Sequence, residues 1–139
     1  MTASCSISTN NSIEKFEENR SILRIHNQNR KKLLRHQVDG CLIKSGIKCD
    51  WMLVEEKTKT EIYIELKGSD VEHAVDQISK TVEQLSDSPP KKWGYVICTR
   101  SPMSATEIQR ATKSIAKSHG VTLRIRKTIH DENIENLIR

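Results

Sequence analysis

No apolar run in the 139-residue chain approaches the roughly 20 residues that a bilayer-spanning helix needs, so a helical membrane protein is excluded. Aromatic residues are scarce, with two Trp, two Tyr and one Phe, and stacking platforms for single-stranded bases are therefore not the expected main binding device. Cys5, Cys41, Cys49 and Cys98 form no CxxC pair and no zinc-ligand spacing. Three of them fall in strand-like apolar runs, and all four are expected to be reduced core residues. His26, His36, His73, His119 and His130 are scattered without an HxxxH pair, which fits surface or capping roles. There is no internal repeat. The opening MTASCSISTNNS has neither the basic start nor the apolar middle of a secretory signal, so residues 1–11 are expected as a flexible arm and cytoplasmic residence follows.

What the chain does have is charge. Charged residues make up 29% and hydrophobic ones 35%, a soluble globular balance, and the length suits one core, expected over residues 12–139. The 23 basic and 18 acidic residues leave a formal net charge of +5, which favours polyanionic partners. The basic residues cluster: Arg30-Lys31-Lys32 with Arg35, Lys91-Lys92, Arg110/Lys113/Lys117, and Arg124/Arg126/Lys127. Contact with phosphates is the mode these clusters suit. An ordinary solvated loop is an equal reading of Arg30-Lys31-Lys32.

Residues from about Ser12 to Asn27 read as a helix with Ile13, Phe16 and Leu23 on one side, although Ile22 and Ile25 fall elsewhere. Three strand-like segments follow, Gln37 to Ile43, Ile47 to Glu56 and Glu61 to Leu66, and their short connections require antiparallel hairpins. Asp39-Gly40 suits a bulge in the first of them. Ser69-Asp70-Val71-Glu72 is a capping box opening a helix with the stripe Val71, Ala74, Val75, Ile78, Val82 and Leu85, which stops before Pro89-Pro90. Trp93 to Thr99 suits a buried strand. Ser104-x-x-Glu107 caps a second helix ending at His119-Gly120. Val121, Leu123 and Ile125 alternate as a last strand, and Asp131 to Ile138 suits a short terminal helix. Trp51 and Trp93 are expected in the core. The fold expected is α/β with an α+β-like order, αβββαβ plus a further α and β: a mixed central sheet flanked by helices, with a crossover from Glu65 to Thr99 making a parallel pair.

Chemistry concentrates in Glu61-Ile62-Tyr63-Ile64-Glu65-Leu66-Lys67, where strict alternation puts Glu65 and Lys67 on one face. With the hairpin turning about Thr58-Lys59, Asp50 opposes Lys67 and Met52 opposes Glu65. Asp50 and Glu65 then lie diagonally on that face, about 7–8 Å apart. A one-residue slip would put Asp50 on the other face. Two carboxylates facing one point repel each other unless a hard divalent cation, Mg²⁺ or Mn²⁺, stands between them, and the backbone carbonyl of Leu66 can add a ligand. With a lysine beside them, this is equipment for metal-assisted hydrolysis of a phosphodiester. A solvated strand face with a cross-strand ion pair is the plain alternative for Glu65 and Lys67. Glu55-Glu56-Lys57 repeats the spacing as a decoy at a hairpin end.

An Asp at a strand start, Glu-x-Lys ending the next strand, and a following helix bearing Gln77 together resemble the PD-(D/E)XK nuclease superfamily, which includes restriction-endonuclease-like and Holliday-junction-resolvase-like enzymes. The resemblance runs by order of elements from about Ser12 to Lys127, on short motifs, and Cys49 stands where the proline naming the motif would be. It implies a restriction-endonuclease-like αβββαβ core and a metal-dependent endonuclease acting on DNA, duplex or branched. It implies metal ligands at Asp50, Glu65 and Leu66, a catalytic lysine at Lys67 and a site glutamine at Gln77. The further acid on the first helix would fall on Glu17, with Glu14 and Glu18 as alternatives, Glu18 pointing further from the Ile13/Phe16 face. A homodimer presenting two sites is expected. The competing class is a catalytically silent nucleic-acid-binding or protein-interaction subunit on the same fold.

Overall fold

The computed structural model describes residues 5–67, 70–100 and 103–139. Its central layer is a mixed six-stranded sheet. The order is β1 (Ser6–Thr9), β4 (Leu33–Gln37), β5 (Trp51–Glu55), β6 (Glu61–Lys67), β7 (Lys92–Cys98) and β8 (Val121–Lys127), with β2 (Ile13–Glu18) and β3 (Ser21–His26) lying outside this sheet. The strands from β1 through β6 pair antiparallel and those from β6 through β8 parallel. The parallel pairs are joined by α1 (Val71–Leu85) and α2 (Ala105–His119), the connection length that parallel pairing requires. The expected strand–helix–strand step is therefore present.

Both helices start and stop where local chemistry directs. Ser104 and Glu107 form the anticipated reciprocal capping box, and α2 ends on Gly120 at φ 67°, a left-handed conformation glycine enters without a Cβ clash. Asp70 caps α1 by accepting from the His73 N–H. Ser69, expected as that cap, lies outside the described residues. Val71, Ala74, Ile78 and Val82 form the buried stripe of α1. The helix packs close to β7 because Gly94 has no side chain: a Cβ there would come within 3.1 Å of Val121 and 3.4 Å of Ile78.

The opposite face of the sheet is covered differently from the expectation. Residues Ser12 to Asn27 are not a helix but a hairpin of β2 (Ile13–Glu18) and β3 (Ser21–His26), with β9 (Ile129–Asn133) parallel to β3 in a second, three-stranded sheet. Period two wins because Glu14 and Phe16 on one strand, and Ser21, Leu23 and Ile25 on the other, are the buried positions. Asn19 turns the chain at φ 55°, which asparagine tolerates better than most side chains. Phe16, Leu23 and Ile25 bury against Leu53, Ile62, Ile64, Leu66 and Ile97, joined by Ile134 and Leu137 of α3 (Ile134–Ile138). Helices thus flank the central sheet on one face, and a sheet with a short helix covers the other.

Three smaller expectations also change. The strand expected over Gln37 to Ile43 is β4, shifted back to Leu33–Gln37, and a turn follows with Gly40 at φ 74° in place of a bulged strand. The arm expected over residues 1–11 contains β1, paired to β4 from Ser6↔His36 to Thr9↔Leu33. Cys5 and Cys41, expected reduced, are joined in a disulfide, while Cys49 and Cys98 are free and buried. No helix among the described residues is long and apolar enough to cross a membrane.

Candidate active site

The site forms where the β5–β6 hairpin opens. Trp51 pairs with Ile64 and Met52 with Tyr63, two residues away from the register that opposed Asp50 to Lys67. A shift of two keeps every side chain on its expected face, so Asp50 still shares a face with Glu65. Asp50 sits one step beyond the last pair. Its N–H donates to the Ile64 carbonyl at 3.1 Å, and its carboxylate accepts the Leu66 N–H at 2.9 Å. The side chain thereby takes the place of a ladder partner and is held toward β6.

Helix α1 braces the same stretch from behind. Gln77 donates from Nε2 to the Lys48 carbonyl at 2.9 Å, and the Cys49 N–H donates to Thr81 Oγ1 at 2.8 Å. Gln77 therefore reaches the backbone leading into Asp50, and its buried Oε1 has no hydrogen-bond partner among the described residues. From the second sheet, Ser21 Oγ donates to the Lys67 carbonyl at 3.1 Å, fixing the end of β6.

Glu65 is 2% exposed. Its Oε2 lies 3.5 Å from Lys67 Nζ, and its Oε1 is buried with no hydrogen-bond partner among the described residues. Burial, and next the charge of Asp50, push its carboxyl up to about 8 against the pull of Lys67. Asp50 is pushed up to about 6, again chiefly by burial, with Glu18 and Asp39 adding to the shift and the Leu66 N–H and Lys67 opposing it. One ammonium at 3.5 Å does not offset the burial of Glu65 and the charge of Asp50 beside it.

An open cleft of about 260 Å³ leads to Asp50, walled by Glu17, Glu18, Gln37, Asp39 and Trp51. Glu17 lines it, but its carboxylate is drawn to Lys15 at 3.2 Å. Glu14 is buried and paired to Arg35 at 3.2 Å. Glu18 is the N-terminal acid whose charge reaches both Asp50 and Glu65. Its place follows from strand alternation with Glu14 and Phe16, which the helical reading hid. Asp39 also enters the cleft, 3.6 Å from Lys48.

Among the described residues no group of three or more His, Cys, Asp and Glu side chains closes into a metal cage. Magnesium does not demand one: one or two carboxylates with water and substrate phosphate suffice. The Glu65 Oε1, without a partner among the described residues, fits a hard cation, which would offset the burial of Glu65 and its repulsion by Asp50. Comparison of the chain with protein-family models, with curated proteins and with solved structures finds no match in any of the three.

Proposed function

We propose that the chain is a divalent-metal-dependent endonuclease of the PD-(D/E)XK type, acting on DNA. The observation that carries this reading is the convergence of Asp50, Glu65 and Lys67 at one strand end, with a buried Glu65 oxygen that has no hydrogen-bond partner among the described residues. The run β4, β5, β6, α1, β7 supports it, being the βββαβ part of the expected core. The β2–β3 hairpin occupies the place of the first helix.

In this reading Asp50, Glu65 and the Leu66 carbonyl hold Mg²⁺ or Mn²⁺, which supplies Lewis acidity toward a phosphoryl oxygen and a more acidic bound water. Leu66 is already fixed there, since its N–H is tied to Asp50. Lys67 stabilises negative charge developing on the phosphoryl group and orients the attacking water. Its Nζ, 3.5 Å from Glu65, lies close enough to do so without being a ligand. Gln77 positions the Lys48–Asp50 backbone. Glu18, in preference to Glu17, adds negative charge at the cleft mouth. The basic groups on α2 and β8 contact flanking phosphates, and two copies of the chain address two strands.

The test is a cleavage panel of plasmid, linear and four-way-junction DNA with Mg²⁺, Mn²⁺ or chelator. Cleavage that requires metal is expected. Folded protein that cuts no substrate in any metal contradicts the proposal. The competing reading, a silent DNA-binding module on the same fold, predicts DNA binding without Mn²⁺ affinity at Asp50 and Glu65.

A further inference from the structure

Gln37 and Trp51 are register partners in the last rung of β4–β5, and they wall two cavities at once. One is the acidic cleft. The other is a larger cavity of about 610 Å³ toward β1, lined by Thr9, Asn10, Asn11, Glu14 and Arg35 as well. Trp51, expected as core, is thus a shared wall, whereas Trp93 is anchored by donating from Nε1 to the Leu137 carbonyl at 2.9 Å.

The lining of the larger cavity selects its occupant. Arg35 is its cation, and that charge is already used: its guanidinium lies 4.0 Å from the Phe16 ring centre and 4.5 Å from that of Trp51, and its Nη1 is 3.2 Å from Glu14 Oε1. Glu14 is itself buried, and its Oε2 accepts from Thr9 Oγ1 at 3.0 Å. A bare phosphate finds no unpaired cation there, and a cationic ligand finds no free anion. The amides of Asn10, Asn11 and Gln37 instead offer donors and acceptors together, beside the Arg35 guanidinium that lies over the Trp51 ring. Amides beside a planar guanidinium are the chemistry that holds an unstacked heterocyclic base by its edge and its face.

We infer that this cavity receives a nucleobase turned out of the strand whose phosphodiester lies at Asp50 and Glu65, the strand passing over the Gln37–Trp51 rung. The inference rests on the nuclease reading for the placement of the phosphate. It names the substrate as a strand able to unstack a base at the cut: a mismatch, a junction or a single-stranded segment.

The experiment uses the full chain in chelator, where no cleavage occurs, and follows the two tryptophan indole N–H signals by NMR during titration with adenosine, guanosine, cytidine, thymidine or inorganic phosphate. At least one nucleoside is expected to move the Trp51 signal while leaving that of Trp93 in place. Phosphate alone should leave Trp51 unmoved, and Asn10→Ala with Asn11→Ala should weaken the nucleoside response by on the order of tenfold. Should that pair fail to fold, Gln37→Ala serves the same purpose. A Trp51 signal indifferent to every nucleoside, or moved equally by phosphate, overturns the pocket, as does a folded variant binding like the parent. Mn²⁺ titration of the same protein after removal of the chelator separates the two claims. Mn²⁺ bound with Trp51 silent removes the pocket alone, and a responding Trp51 without Mn²⁺ binding removes the metal site.

Discussion

Glu61 and Glu65 stand on one face of β6, each 2% exposed, and their surroundings could hardly differ more. Glu61 accepts from Tyr63 Oη at 2.7 Å, Ser86 Oγ at 2.7 Å and the Asp87 N–H at 2.8 Å, tying the start of the strand to the end of α1. Glu65, four residues on, has one ammonium at 3.5 Å and an oxygen with no hydrogen-bond partner among the described residues. A buried carboxylate without donors is costly, and native chains supply the donors where the group is structural. The Glu61 end is architecture. The Glu65 end carries a cost that the described residues leave standing, and the proposed cation would offset it.

The largest effect that would sharpen this contrast is on catalysis. Lys67→Ala removes the cation beside Glu65 without removing a ligand, so DNA cleavage should fall by about 10²–10³-fold, the scale of losing a transition-state charge stabiliser. Mn²⁺ affinity should hold or rise in the same protein. An unimpaired rate in the cleavage assay would remove Lys67 from the site.

Stability should separate the two glutamates next. Glu61→Ala takes the acceptor from three donors, among them the buried Tyr63 hydroxyl, and should cost about 3 kcal/mol in urea denaturation. Glu65→Gln should cost nothing in metal-free protein and gain a little at alkaline pH, since it removes a repelled charge. Equal losses at both positions would erase the distinction.

The pH dependence follows from the sign of the shifts. Glu65 is raised from its ordinary 4.5 to about 8 and Asp50 from 3.8 to about 6, so within those windows the folded chain holds protons the unfolded chain has released. Stability of the metal-free protein therefore declines as pH rises through the windows and levels off above them. Denaturation midpoints across that range should show the decline, and Glu65→Gln should flatten its upper part. Mn²⁺ affinity should climb with pH over the same span, because the metal takes the deprotonated carboxylates. A Glu65→Gln profile that runs parallel to the parent's from pH 5 to 8 would mean that the Glu65 carboxyl is not raised.

The smallest effect concerns the cleft mouth. Glu18→Ala should weaken Mn²⁺ binding by about twofold through lost long-range attraction, and Glu17→Ala should leave it unchanged. The reverse ranking in a Mn²⁺ titration would restore the helical-face choice of Glu17.

Local pattern carried much of this to the surface. The alternation of Ile62, Ile64 and Leu66 against Glu65 and Lys67 placed the central strand and its chemical face, and the Ser104/Glu107 box marked a helix start that the fold bears out. What stayed hidden depended on partners distant in sequence. The β2–β3 turn at Asn19 carries no glycine to announce a hairpin, and its apolar residues mimic one helical face until Leu23 and Ile25 find the central sheet. Cys5 meets Cys41, 36 residues on, only because β1 pairs with β4. The two-residue register difference has a local cause. The decoy Glu55 folds its carboxylate back to accept the Lys57 and Thr58 N–H groups at 2.8 and 3.0 Å, and Lys59 turns at φ 64°, moving the centre of the hairpin one residue earlier. Because the pleat alternates, that error left the Asp50/Glu65 face intact.

The most direct test of the contrast along β6 is calorimetric Mn²⁺ titration of the parent beside Glu65→Gln and Glu61→Gln, each confirmed folded. The parent and Glu61→Gln should bind one class of Mn²⁺ with similar affinity, and Glu65→Gln should lose it. If Glu65→Gln binds Mn²⁺ like the parent, or if the parent binds none, the proposed metal site at Asp50 and Glu65 is wrong.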